Sequence, residues 1–133
     1  MKNLLPIIPL ILLIYSCDPG VHFERVIENK SSHDVWIKVN QETYPAFVQD
    51  SFMITKNSSV IISSRSSLGR VSEFGDCGLI DGTLSSGVLT NDTLSIQKNV
   101  NESGNWTSIV KSKGFGGGGE CECRFTITND DIK

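Results

Sequence analysis

Four cysteines are the residues of this chain best suited to do chemistry. They are Cys17, Cys77, Cys121 and Cys123 of a 133-residue sequence. Thiols form disulfides, bind metal ions or act as nucleophiles, and their spacing and surroundings decide which of these occurs. A Cys-x-Cys pair near the C-terminus, with one distant cysteine, leaves all three kinds of chemistry to be weighed.

Cys121 and Cys123 are poorly placed to bond to each other. Residues two apart in an extended strand lie about 6.5–7 Å apart at Cα, at or beyond the usual limit for a disulfide. We therefore expect a disulfide from Cys77 to either Cys121 or Cys123. It would close a loop of about 45 residues and contribute roughly 3–4 kcal/mol in the chain-entropy model, leaving one thiol over.

Two other uses of these thiols stay open. All three downstream cysteines could remain buried or free, or they could bind a metal ion with His22 or His33 as the fourth ligand. A redox-active site is disfavoured because no Cys-x-x-Cys pair opens a helix.

The remaining polar residues form no recognisable catalytic motif. The sequence contains neither H-E-x-x-H nor G-x-S-x-G. The glycine run 114–119 satisfies G-x-G-x-x-G, but the residues after it alternate like a strand and begin with Glu120, where a phosphate would have to bind. We interpret this run as a flexible hairpin loop, and we predict no catalytic residue, no metal and no cofactor.

The first residues have the layout of a secretory signal. Lys2 precedes about a dozen apolar residues, fewer than the roughly 20 that span a bilayer. The segment ends Ile14-Tyr15-Ser16-Cys17. This ending resembles the lipobox of bacterial lipoproteins, with an aliphatic residue, a small residue and then cysteine at the cleavage point.

The resemblance implies that residues 1–16 are removed and that Cys17 carries a diacylglycerol thioether, often with a further acyl chain on the new N-terminus. Residues 17–22 then form a lipidated tether on an exported protein of the bacterial cell envelope. Two or three acyl chains give stable membrane attachment, whereas one gives only reversible binding. The alternative is an ordinary secreted protein cut near Ser16, with Cys17 available for a disulfide.

Residues 23–133 read as an all-β domain. Apolar residues alternate with polar ones in several short segments, which places each apolar set on one face of a sheet. We predict a single β-sandwich, immunoglobulin-like or related, with seven or eight short antiparallel strands and no helix of useful length. Residues 63–87 read as a loop with at most one short strand. The alternating segments are 23–27, 35–39, 52–54, 60–62, 94–97, 106–110 and 121–128.

Two features of the sequence suggest a relation to sugars, one as a glycosylation site and the other as a glycan-binding surface. Asp92-Thr93-Leu94 is similar to the sequence at which Bacteroidota O-glycosylate exported proteins, which makes Thr93 a candidate glycosylation site. Aromatic side chains could also line a glycan- or peptide-binding surface; these are Trp36, Tyr44, Phe47 and Trp106.

The amino-acid composition excludes one class of function. The net charge is −3 and charged residues make up 20% of the chain, which excludes a basic nucleic-acid binder. We predict a small, non-catalytic envelope lipoprotein that is held to a membrane through Cys17 and acts by binding or assembly with a protein or glycan. The alternatives are a metal- or thiol-dependent envelope factor that uses Cys77, Cys121 and Cys123, and a glycan-binding, adhesin-like module.

Overall fold

A computed structural model describes residues 19–40, 50–71, 77, 84–89 and 93–133. Within these ranges the chain forms seven strands, joined in places by single turns of 3₁₀ helix. The strands are β1 (Gly20–Asn29), β2 (Val35–Val39), β3 (Ser51–Ile54), β4 (Ser58–Leu68), β5 (Leu84–Val88), β6 (Trp106–Lys113) and β7 (Gly119–Ile127).

The strands form two sheets, which confirms the predicted all-β sandwich. A four-stranded sheet has the order β4-β1-β7-β6, and a three-stranded sheet has the order β3-β2-β5. The pairing of β1 with β7 is parallel, whereas we expected antiparallel strands throughout. Parallel neighbours need a long connection, and here the connection includes the whole three-stranded sheet.

The core lies between the two sheets and follows the predicted alternation. In β2, Val35, Ile37 and Val39 are buried while Lys38 is exposed. Strand β7 buries Cys121, Cys123, Phe125 and Ile127 in the same way, although Glu122 on its other face is buried as well. Because successive side chains of a strand point to opposite faces, each sheet contributes one apolar face to a single cluster.

Two parts of the predicted strand pattern were wrong. Strand β4 continues to Leu68, into the polar segment that we expected to be a loop. The side chains of residues 64–68 are exposed, so backbone pairing with β1 holds this half of the strand without any hydrophobic periodicity. Conversely, the alternation around Leu94 and Ile96 produces only an isolated bridge from Ile96 to Ile132.

One end of the four-stranded sheet, here called the tether end, lies beside the start of the described chain. It comprises Pro19, Gly20, Leu68 and the β6–β7 loop 114–118. Gly20 pairs with Leu68, and the Gly69 N–H donates to the Pro19 carbonyl at 2.9 Å. The start of β1 at Gly20 takes in residues 20–22, which the sequence analysis assigned to the tether. The opposite end, where β1 stops at Asn29, is called the far end.

Candidate functional site

A disulfide joins Cys77 to Cys123. Their Cα atoms lie 5.6 Å apart, and 46 positions separate them in the sequence. Both residues are buried. The bond therefore ties the connection between the two sheets to the middle of β7. This confirms the predicted bridge from Cys77 and identifies Cys123 as its partner.

Cys121 is the thiol left over. It lies two residues before Cys123 on the same inward face of β7, and it is only 1% exposed. Burial raises the pKa of the Cys121 thiol, and the positive charge of Arg65 offsets this only in part. Because the thiolate is the reactive form, this arrangement makes Cys121 a packing residue rather than a nucleophile.

Neither histidine lies on the inward face of the sheet that carries Cys121 and Cys123. His22 points to the outer face of β1, where Nδ1 lies 3.1 Å from the Ser66 hydroxyl oxygen and Nε2 lies 3.3 Å from a Glu24 oxygen. His33 lies in the turn at the far end, where its backbone contacts Ser31. Among the described residues, no three His, Cys, Asp or Glu side chains come together as a metal site would require. The geometry gives the metal-dependent alternative no support.

The outer face of the four-stranded sheet carries a charge network that the sequence analysis did not single out. Glu24 of β1 is the parallel neighbour of Glu122 of β7. The Lys111 ammonium contacts both carboxylates, at 3.2 Å and 3.3 Å. Lys111 lies at a register irregularity of β6 between Val110 and Ser112. Such a bulge redirects side chains, and here it accompanies a cation placed between two like charges.

Arg124 extends the network along β7. Its Nε donates to Glu122 at 2.6 Å, and Nη1 contacts Glu28 at 3.4 Å. Lys30 also contacts Glu28, at 3.2 Å. Three carboxylates thus face three cations in these contacts, so the network is close to neutral and offers little net charge to a ligand.

The Glu122 carboxylate is the centre of the network and is almost fully covered, with its side chain 3% exposed. Burial acts to raise the pKa of Glu122, but hydrogen bonds and charges from Arg124 and Lys111 outweigh it and hold the pKa below its usual range. The same contacts raise the pKa of Lys111, chiefly through its hydrogen bond to Glu24. Glu122 is therefore an ionised, stabilised carboxylate and a poor proton donor.

Ser66, His22 and Glu24 have the hydroxyl–imidazole–carboxylate order of a catalytic triad. However, His22 Nε2 also lies 3.2 Å from the Ser64 hydroxyl oxygen, and the His22 side chain is 41% exposed. Acyl transfer needs an enclosed site with oxyanion donors aimed at the substrate, whereas these side chains lie on an open sheet face. We assign them a surface hydrogen-bonding role.

A pocket of ≈ 260 Å³ lies away from this cluster, at the far end. Glu28 and Lys30 in its wall already pair with each other at 3.2 Å. The Asn29 amide donates to the carbonyls of His33 and Ile54 at 2.7 Å and 3.1 Å, and its oxygen accepts from Ser31. These groups are occupied in holding the turn together, so they offer little to a ligand. Its wall is formed by residues 28–30 and 57–59.

Of the four aromatic candidates for a glycan-binding surface, the structure describes Trp36 and Trp106, and neither is a fully exposed ring. Trp106 is buried and donates from its indole nitrogen to the Val100 carbonyl at 2.7 Å. Trp36 is half-buried and covers Gly87 so closely that an added Cβ would lie 2.6 Å from the indole ring. Tyr44 and Phe47 lie outside the described residues.

Of the two predicted modification sites, Thr93 and Cys17, the structure describes only Thr93. Thr93 is exposed, as a glycosylation site requires; its modification stays a prediction. Cys17 lies outside the described residues, which begin two positions later. In the described ranges, no helix is both long enough and apolar enough to cross a membrane.

Comparison of the chain with protein-family models, with curated protein sequences and with solved structures finds no match in any of the three. The function must therefore be inferred from the chain's own residues.

Proposed function

We propose that this chain is an exported lipoprotein, anchored to a membrane through lipid on Cys17, whose β-sandwich has a non-catalytic role in binding or assembly. The observation that carries the proposal is the Cys77–Cys123 disulfide. Disulfides form and persist in oxidising compartments such as the bacterial periplasm and the cell surface. The bond thus agrees with the signal-like residues 1–16 and with the cysteine that follows them.

The non-catalytic part of the proposal rests on the state of the polar groups. The carboxylates of Glu24, Glu28 and Glu122 are paired with Lys30, Lys111 and Arg124. The leftover thiol of Cys121 is buried, and burial raises its pKa. A nucleophile or general base must be accessible and free to exchange a proton. Glu122 and Cys121 are covered, and Lys111 and Arg124 are held in ion pairs.

A binding or assembly role is supported by the edge strand β6. In the described part of the chain, β6 pairs with β7 on one side only and ends the four-stranded sheet. After Trp106 its side chains are exposed, including Ile109 at 36% and Val110 at 46%. An exposed strand edge can pair with an extended segment of another chain, so β6 offers a surface for a protein partner.

Cell fractionation of the wild type and of the Cys17→Ala variant tests the anchor. We expect the wild type in the membrane fraction, with mass spectrometry detecting acyl groups on an N-terminal Cys17. Cys17→Ala should lose the lipid and the membrane attachment, while Cys121→Ala, the matched control, should keep both. An unlipidated wild type, or a different mature N-terminus, would refute the proposal.

A further inference from the structure

The tether end carries the most exposed apolar surface in the described part of the chain. Phe115 is 105% exposed relative to a free side chain, and Leu68 is 71% exposed. Single exposed apolar residues are common on protein surfaces, whereas exposed apolar residues gathered at one place mark an interaction site. Both residues lie at the end of the sheet from which the N-terminal segment leaves.

The loop that bears Phe115 is held against the start of the chain. The Gly114 N–H donates to the Gly118 carbonyl at 2.8 Å, which closes the loop. Gly118 packs so tightly that an added Cβ would lie 2.5 Å from the Gly20 carbonyl oxygen and 3.0 Å from the Pro19 side chain. Phe115 therefore projects from a loop whose base is fixed on Pro19 and Gly20.

The position of the proposed lipid follows from covalent geometry. Cys17 is two residues before Pro19, so their Cα atoms are at most about 7 Å apart. Acyl chains on Cys17 would enter a bilayer close to the loop that packs on Pro19. The leaflet that receives them must come close to the tether end.

We propose that the tether end is a membrane-docking surface and that Phe115, with Leu68 beside the tether, inserts into the lipid leaflet that holds the acyl chains of Cys17. The inference rests on the proposed function, because without the lipid nothing brings this end to a membrane. The occupant is the phospholipid leaflet itself. Aromatic side chains favour the membrane interface, where their apolar body leaves water.

Apolar contact, rather than net charge, drives this docking. Lys113 before the loop and Glu120 after it are both exposed and carry opposite charges, and the exposed Arg70, whose side chain lies against Gly117, adds a single positive charge. Attachment of the loop should therefore vary little with salt, unlike that of a basic patch. Docking would also leave the far end and edge strand β6 accessible from the aqueous side.

Depth-dependent fluorescence quenching tests the proposal on the full-length lipidated protein. Phe115→Trp and Leu68→Trp are each placed in vesicles of phosphatidylethanolamine and phosphatidylglycerol that contain brominated acyl chains. The matched control is Leu89→Trp, because Leu89 is 43% exposed and lies at the far end, where its N–H donates to Asp34. The wild type supplies the background from Trp36 and Trp106.

We expect the added fluorescence at positions 115 and 68 to be quenched and blue-shifted, at both low and high salt, and that at position 89 to be unchanged. A lipidated Phe115→Trp protein without quenching would overturn the docking surface alone. Equal quenching at positions 115 and 89 would also overturn it, because the domain would then have no preferred orientation. An unmodified Cys17 in the same sample would instead overturn the proposed function and, with it, this inference.

Discussion

Removal of the Cys77–Cys123 disulfide should destabilise the domain by an amount that can be worked out from its position. The bond spans 46 positions of the sequence. The chain-entropy model gives an entropy loss of about 13.5 cal/mol/K for the unfolded chain, or about 4 kcal/mol at 25 °C. Since domains are stable by only about 5–15 kcal/mol, this single bond supplies a large share of the stability.

The double variant Cys77→Ala/Cys123→Ala is the appropriate perturbation, because a single substitution leaves a new thiol beside Cys121. Equilibrium urea unfolding, followed by tryptophan fluorescence, measures the free energy of unfolding. With a urea dependence of about 2 kcal/mol/M, the midpoint should fall by about 2 M. The comparison is made with oxidised wild type.

Cys121→Ala is the matched control, because Cys121 is buried on the same face of β7 but forms no disulfide. Cys121→Ala should lower the free energy of unfolding by about 1 kcal/mol, as expected for the loss of one small buried group. If the double variant loses less than about 1 kcal/mol, the entropy argument is wrong for this chain. If Cys121→Ala removes the disulfide and Cys123→Ala does not, the pairing itself is wrong.

Two further predictions concern the charge network and the tether end. Glu122→Gln should lower the free energy of unfolding by about 2 kcal/mol at neutral pH, because it removes charged hydrogen bonds. The folded-state pKa of Glu122 is lowered from the ordinary value of 4.5. The stabilisation by ionised Glu122 is therefore present above the unfolded-state pKa and is lost as the pH falls through the folded-state pKa. A difference in the free energy of unfolding between variant and wild type that stays constant down to acid pH would contradict this. Gly118→Ala should lower the free energy of unfolding by about 1–3 kcal/mol, because the new Cβ would lie 2.5 Å from the Gly20 carbonyl oxygen. Gly104→Ala serves as the control, because its new Cβ would have no atom within 4 Å. Equal thermal midpoints for the two alanine variants would rule out the tight packing.

Alternation in the sequence was enough to place the core strands. The inward faces of β2 and of β7 follow directly from residues such as Ile37 and Phe125, because burial of one face imposes a period of two. The same rule failed for the second half of β4. That segment pairs through its backbone and exposes its side chains, so nothing in its residue types marks it as a strand.

The site was harder to predict because it depends on which strands are neighbours. Alternation in the segment 121–128 implies that Glu122 lies on the outer face of β7, yet it is buried there, since Lys111 and Arg124 close over it. The pairing of β1 with β7 brings Glu24 beside it, and no local pattern encodes that pairing. In the same way, Cys121 and Cys123 both point inward, and only the position of Cys77 in the folded chain selects Cys123 as its partner.

The parallel pairing of β1 with β7 has a consequence for how the protein is made. Strand β1 lies between β4 and β7, so the four-stranded sheet cannot be completed until β7 has been synthesised. Pairings between such distant segments form slowly, because the entropy of closing the loop is lost before any contact compensates for it. The four-stranded sheet therefore remains incomplete until β7 has left the ribosome.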